Sequence, residues 1–162
     1  MKRLYVVRHA KASWSNNVSS DYDRPLDSKG ESDIKKLSLY LKSKNYTPEY
    51  ILTSAAKRTL ETSKIISSVL FDKIIPPLKE EPLVYEASET TFLNIISSID
   101  SKYNSLMIVG HNPTITSLIN KVSDAIIDHV PTSGIAVIDF KQPNWLIKSN
   151  SGKIIEFIYP KN

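Results

Sequence analysis

The 162-residue chain is 41% hydrophobic and 23% charged, which fits one soluble globular domain spanning 1–162, long enough to bury about 70% of its unfolded surface. It has no cysteine, so disulfides, thiolate metal sites and a cysteine nucleophile are excluded. The net charge is +4, but no basic block carries interleaved aromatics, so nucleic acid is not an expected partner.

In chain order, residues 3–8 form a buried-strand pattern, Leu4-Tyr5-Val6-Val7 running straight into Arg8-His9. That apolar run is too short for a signal-peptide core, and no stretch approaches the roughly 20 apolar residues of a bilayer span, so a cytoplasmic protein with no membrane partner is expected. Residues 9–26, with Asn16-Asn17 and Arg24-Pro25, read as a loop. Ser28-Lys-Gly-Glu31 has the form of a capping box and predicts a helix with Ile34, Leu37 and Leu41 inward and Tyr40 beside them. Tyr50 to Thr53 predicts a second strand, followed by a helix to Leu70 with Leu60, Ile65, Ile66 and Val69 inward.

Ile74-Ile75 is a candidate third strand, and Pro76-Pro77 and Pro82 bound an irregular segment. Ser88 is placed to cap a helix to Ile99 with Phe92, Ile95, Ile96 and Ile99 as its stripe. Leu106 to Val109 is a buried strand, and Pro113 suits the first turn of the next helix. Ile135–Phe140 and Ile154–Tyr159 are late strands with a short connection, placed to pair antiparallel. Alternating strands and helices predict an α/β fold, a mainly parallel sheet with helices on both faces, and ligands at the carboxyl ends of the strands.

Those carboxyl ends carry a pattern. One strand ends in Arg8-His9, another in Gly110-His111, and Arg58 follows the strand ending near Ser54, in the first turns of a helix. If these strands are neighbours, two imidazoles and two guanidiniums converge on one rim, a chemistry suited to a phosphate. The only glycines are Gly30, Gly110, Gly134 and Gly152, so no glycine-rich phosphate cradle can be built and side chains must bind the anion.

Arg8-His9-Ala10, Ser54-x-x-x-Arg58-x-x-x-Thr62 and Gly110-His111-Asn112 together resemble the histidine phosphatase superfamily, which also contains the cofactor-dependent phosphoglycerate mutases. The finer resemblance is to the SixA-type phosphohistidine phosphatases. It rests on Lys11-Ala12-Ser13-Trp14 after the first motif, Asp23-Arg24-Pro25-Leu26 before Gly30, and Pro131-Thr132-Ser133-Gly134-Ile135-Ala136, and it spans essentially the whole chain. Ala55 stands where many members carry proline, and Ser15, with Asn16 one step on, where mutase-branch relatives carry asparagine.

The resemblance implies a phosphoglycerate mutase-like three-layer sandwich and a nucleophilic His9 that passes through a phosphohistidine. Arg8 and Arg58 would hold the phosphoryl oxygens in bidentate fashion and keep His9 neutral by like-charge repulsion, and His111 would donate to the phosphate. Arg24 is a candidate phosphate contact or a loop anchor. Glu86 is the candidate general acid, with Asp21 and Asp23 as alternatives. His129, Trp14, Trp145 and the pair Glu80-Glu81 read as structural or solvated. No cofactor and no metal is implied. The expected substrate is a protein carrying phosphohistidine, or else a small phosphate ester. The rival readings are a small-metabolite phosphatase or mutase and a phosphate-binding protein without catalysis. The oligomeric state is left open.

Overall fold

A computed structural model describes residues 1–14 and 18–161 of the chain. β1 (Lys2–Arg8), β2 (Tyr50–Ser54), β3 (Leu78–Glu81), β4 (Ser105–Gly110), β5 (Ile135–Phe140) and β6 (Gly152–Ile158) form one sheet in the order β3-β2-β4-β1-β5-β6. β1 to β4 run parallel, while β5 and β6 add on as an antiparallel pair.

The unbroken apolar runs of β1 and β4 follow from their central place, with both faces covered. Successive side chains point to opposite faces, so Tyr5 and Val7 pack with Ile34 and Leu41 of α1 (Ser28–Ser43) and Ile66 and Leu70 of α2 (Lys57–Leu70). Leu4 and Val6 pack on the other side, with Phe92 and Ile96 of α3 (Glu89–Ser97) and Ile115, Leu118 and Ile119 of α4 (Thr114–Val122). The chain therefore has the expected α/β fold, a mainly parallel sheet with helices on both faces.

Several local readings are corrected. The N-cap of α1 is Asp27, one residue before Ser28, and its carboxylate accepts from the Gly30 N–H. Asp caps as well as Ser, and the loop fixes which residue lies half outside the helix: the Asp27 N–H donates to the Lys11 carbonyl. A Cβ on Gly30 would lie 2.1 Å from that carbonyl oxygen, so only glycine admits this loop against the helix.

Ile74-Ile75 is not a strand; both side chains are exposed, and the third strand is Leu78–Glu81, so the pair Glu80-Glu81 lies on a short edge strand. Charge on an edge strand discourages further pairing, and hydropathy alone cannot see it. In α2 the buried positions are Arg58, Thr59, Thr62, Ser63 and Ser67 with Ile66 and Leu70, while Leu60, Ile65 and Val69 are half-buried. The hydroxyls of Thr59, Thr62 and Ser63 donate to carbonyls of their own chain segment, which lets small polar residues lie in an apolar interior. Ser88 caps α3 as expected, accepting from the Thr91 N–H.

Candidate active site

β1 and β4 pair with Arg8 opposite Gly110, so the next residue of each, His9 and His111, leaves the sheet at the same end. Their ring centroids are 5.4 Å apart. The backbone of His9 is held from both sides: its N–H donates to the Gly110 carbonyl at 3.1 Å, and its carbonyl accepts from the Ser133 N–H at 3.0 Å. Ser133 adopts φ 65, a left-handed conformation that costs a non-glycine residue strain beside the site.

The Nδ1 of His9 lies 2.7 Å from the Ala10 carbonyl oxygen. A carbonyl only accepts, so Nδ1 carries the proton and Nε2 keeps its lone pair. His9 is 8% exposed, and burial is the first cause that pushes its pKa down to about 4. The bond to Ala10 opposes this, while Arg58, Arg8 and Arg24 add to it. The cations therefore act in the expected direction, toward a neutral imidazole, with desolvation as the larger cause.

His111 places Nε2 2.8 Å from Ser54 Oγ, at the end of β2, and its Nδ1 is buried with no partner among the described residues. Burial first, then His9 and Arg58, lowers its pKa to about 3. Arg8 donates through Nη1 to the Val130 carbonyl at 3.0 Å, with His129 Nε2 at 3.3 Å from the same nitrogen, so His129 is drawn to the site's edge. Arg58, second residue of α2, donates through Nη1 to the Asp21 carbonyl (2.7 Å) and through Nη2 to the Asp21 carboxylate (2.9 Å). Both terminal nitrogens expected for a bidentate phosphate contact are thus engaged. The Nε atoms of Arg8 and Arg58 are buried without partners among the described residues. Thr62 ties the loop to the helix, accepting from the Ala10 N–H and donating to the Arg58 carbonyl.

Arg8, His9, Arg24, Arg58 and His111 line one cleft of about 420 Å³, together with Lys11, Ala12, Trp14, Asn112 and Thr132. Arg24 meets both of its readings. It lines the cleft, and it anchors the loop by donating to the Ser13 carbonyl, the Asp21 carboxylate and, at 3.4 Å, the Ala12 carbonyl. Glu86 is exposed and is not among the lining residues. Its neighbour Tyr85 turns inward instead, edge-on to the His111 ring and donating to Asp21 at 2.6 Å. Asp21 lies in a short 3-10 turn, Asp21–Asp23, and its carboxylate gathers Tyr85, Arg24 and Arg58. The Tyr85 bond first, with the two arginines, holds it well below the usual carboxylate range, in the ionised form. Asp23 accepts from Ser19 and Ser20 at the surface. Trp145 is in the core, far from any rim role. Ser15, Asn16 and Asn17 lie outside the described residues.

Sequence reasoning missed Ser54 as a partner of His111, and Tyr85 altogether. The motif serine was the available signal for the first; nothing local marks the second. Among the described residues no group of three or more histidines and carboxylates is placed to hold a metal ion, and no helix is long and apolar enough to cross a membrane.

The family model for the histidine phosphatase superfamily (branch 1) matches residues 4–83. An uncharacterized chloroplastic protein of Arabidopsis thaliana is 33% identical over 118 residues; the match covers 68% of this chain, and the chain spans 54% of that relative's length. An uncharacterized protein of Mycobacterium leprae is 26% identical over 96% of this chain and 100% of its own. Among solved structures, the candidate phosphohistidine phosphatase SixA of Agrobacterium tumefaciens superposes with a TM-score of 0.82 at 28% identity, over 98% of both chains. The protein histidine phosphatase SixA complexed with tungstate shares the fold, with a TM-score of 0.79 at 17% identity over 97% of this chain and 96% of that one.

Proposed function

This chain belongs to the histidine phosphatase superfamily, and from that premise we propose that it hydrolyses phosphohistidine carried by a protein, with His9 as the nucleophile. The superfamily and the SixA relatives support phosphatase activity; the substrate and the roles of the residues are our reading. Solvent protonates the free nitrogen of the substrate ring, and the Nε2 lone pair of His9 attacks phosphorus as the bond to that ring breaks and neutral imidazole leaves. Water then attacks the phosphorus, the bond to His9 breaks, and inorganic phosphate and neutral His9 are restored, with the water's proton returned to solvent.

The observation that carries this is a set of buried nitrogens with no partner among the described residues, Arg8 Nε, Arg58 Nε and His111 Nδ1, on three residues that line the cleft of His9. A buried donor without an acceptor costs about 1–3 kcal/mol, more for a charged group, so their joint presence suits an anion that completes them. Charge at the transferring phosphoryl is then met by preorganised cations, the usual means in phosphoryl transfer. The guanidiniums supply this charge stabilisation, so the reading calls for no metal.

The substrate class is supported by the missing acid. No described residue lining the cleft is a carboxylic acid, Glu86 is exposed, and Asp21 is held ionised. An alkoxide leaving group needs a proton donor; an imidazole, titrating near neutral pH, needs one far less. The test compares phosphate release from a phosphohistidine-bearing protein and from sugar phosphates, with and without a chelator. Release from the protein, much faster than from sugar phosphates and unchanged by the chelator, is expected. Efficient turnover of sugar phosphates with no action on phosphohistidine overturns the substrate assignment, and failure to trap an acid-labile phosphoenzyme that is lost in His9→Ala overturns the nucleophile.

A further inference from the structure

Trp14 is 78% exposed, although it lines the same cleft as His9. Exposed single apolar residues are common on proteins. This one differs because it is fixed. The Arg24 guanidinium carbon lies 3.3 Å from the indole ring centroid, so the cation covers one face of the ring. Arg24 is itself buried and is held by the Ser13 and Ala12 carbonyls and the Asp21 carboxylate. Asp21 is in turn held by Arg58 and Tyr85. A chain of polar contacts therefore runs from the anion-holding arginine to a large, rigid, open aromatic surface. Trp145, the other tryptophan, is buried and its Nε1 donates to the Tyr103 carbonyl, so it offers no such surface.

We propose that Trp14 is a specificity-determining residue: its indole, backed by Arg24, stacks on the planar ring that carries the phosphoryl group, and so selects ring-borne phosphates over alkyl phosphates. This rests on the phosphatase reading above and names the feature of the substrate that the cleft mouth recognises. The ring to be expected is the imidazole of phosphohistidine, and an aryl phosphate has the same geometry. Stacking orients the leaving group without touching phosphorus, so it strengthens binding more than it alters the chemical step. An inorganic oxyanion has no ring and gains nothing from it.

The test is steady-state kinetics of wild type, Trp14→Ala and Trp14→Phe on phenyl phosphate, on an alkyl phosphate and on a phosphohistidine-bearing protein, with tungstate as competitive inhibitor. In Trp14→Ala, KM for phenyl phosphate and for the protein rises about 10-fold. The alkyl phosphate KM, kcat and the tungstate inhibition constant stay within about twofold, and Trp14→Phe recovers most of the loss. If KM rises equally for alkyl and aryl substrates, or tungstate binding weakens in step, Trp14 acts only by holding Arg24 and the proposal is overturned. No change on any substrate overturns it as well. Should phosphohistidine prove not to be a substrate, the phenyl and alkyl arms still decide the role of Trp14, so the two claims fail separately.

Discussion

The cleft and the residues that support it fall into two halves built on different principles. Arg8, His9 and His111 stand at the ends of adjacent parallel strands, β1 and β4, and the His9 backbone is fixed by bonds to Gly110 and Ser133. Trp14, Asp21, Arg24 and Tyr85 come from the loop after β1 and the turn after β3, and there side chains hold side chains: Asp21 joins Arg24, Arg58 and Tyr85. Arg58 belongs to both, rooted in α2 yet tied to Asp21. The first half positions atoms through the sheet, and the second through a network that can be altered without moving a strand. Reaction chemistry suits the rigid half, and discrimination among substrates suits the loops.

Breaking the strand half should have the largest effect. His9→Ala removes the nitrogen proposed to attack, and turnover of an aryl phosphate should fall by on the order of 10⁴-fold or more while the folded state survives. Residual activity near wild type would move the chemistry out of that half. Next come the arginines. Arg8→Ala should lower kcat/KM by about 10²–10³-fold, as for loss of one oxyanion donor, and Arg24→Ala by clearly less, because the Arg24 nitrogens are already spent on protein acceptors. Equal losses would erase the distinction.

Asp21→Ala strikes the loop half directly. It leaves Arg58 and Arg24 short of an acceptor, and a denaturant midpoint should report a loss of about 1–2 kcal/mol. An unchanged midpoint would mean the network contributes no stability.

The pH profile is a smaller effect with a definite sign. On the proposed mechanism His9 must be unprotonated to attack, and its pKa is lowered to about 4. Because His9 and His111 interact, the acid limb of kcat/KM belongs to the pair. It should stay flat down to about pH 5 and fall only near pH 4. A limb near 6.5, the value of a free imidazole, would contradict the burial of the strand half. Since the unfolded chain takes up protons on these histidines first, folding stability should also decline as pH falls from about 6.5 toward 4. Smallest of all is Glu86→Gln, expected to leave turnover within about twofold, given its exposure away from the lining residues. A loss beyond tenfold would restore it as the acid.

How much of this was legible depends on how local the determinant is. The apolar runs of β1 and β4, the cap at Ser88 and the His9 and His111 that follow the runs were all readable, because periodicity and capping act within a few residues. The third strand was misplaced because Leu78–Glu81 is polar and becomes a strand only by pairing with β2. The stripe of α2 was misread because Thr59, Thr62 and Ser63 satisfy their hydroxyls in place and can be buried.

By itself the sequence determined which residues form the core strands and which chemical groups stand at their ends, since side-chain hydropathy and covalent spacing are enough for that. Only the tertiary structure decided that β2, β4 and β1 lie side by side, that Tyr85 reaches Asp21 across 64 positions of chain, and that Glu86 is exposed outside the cleft lining. Contacts of that span depend on which strand ends adjoin and how each loop closes over them, and no short window of sequence carries that information.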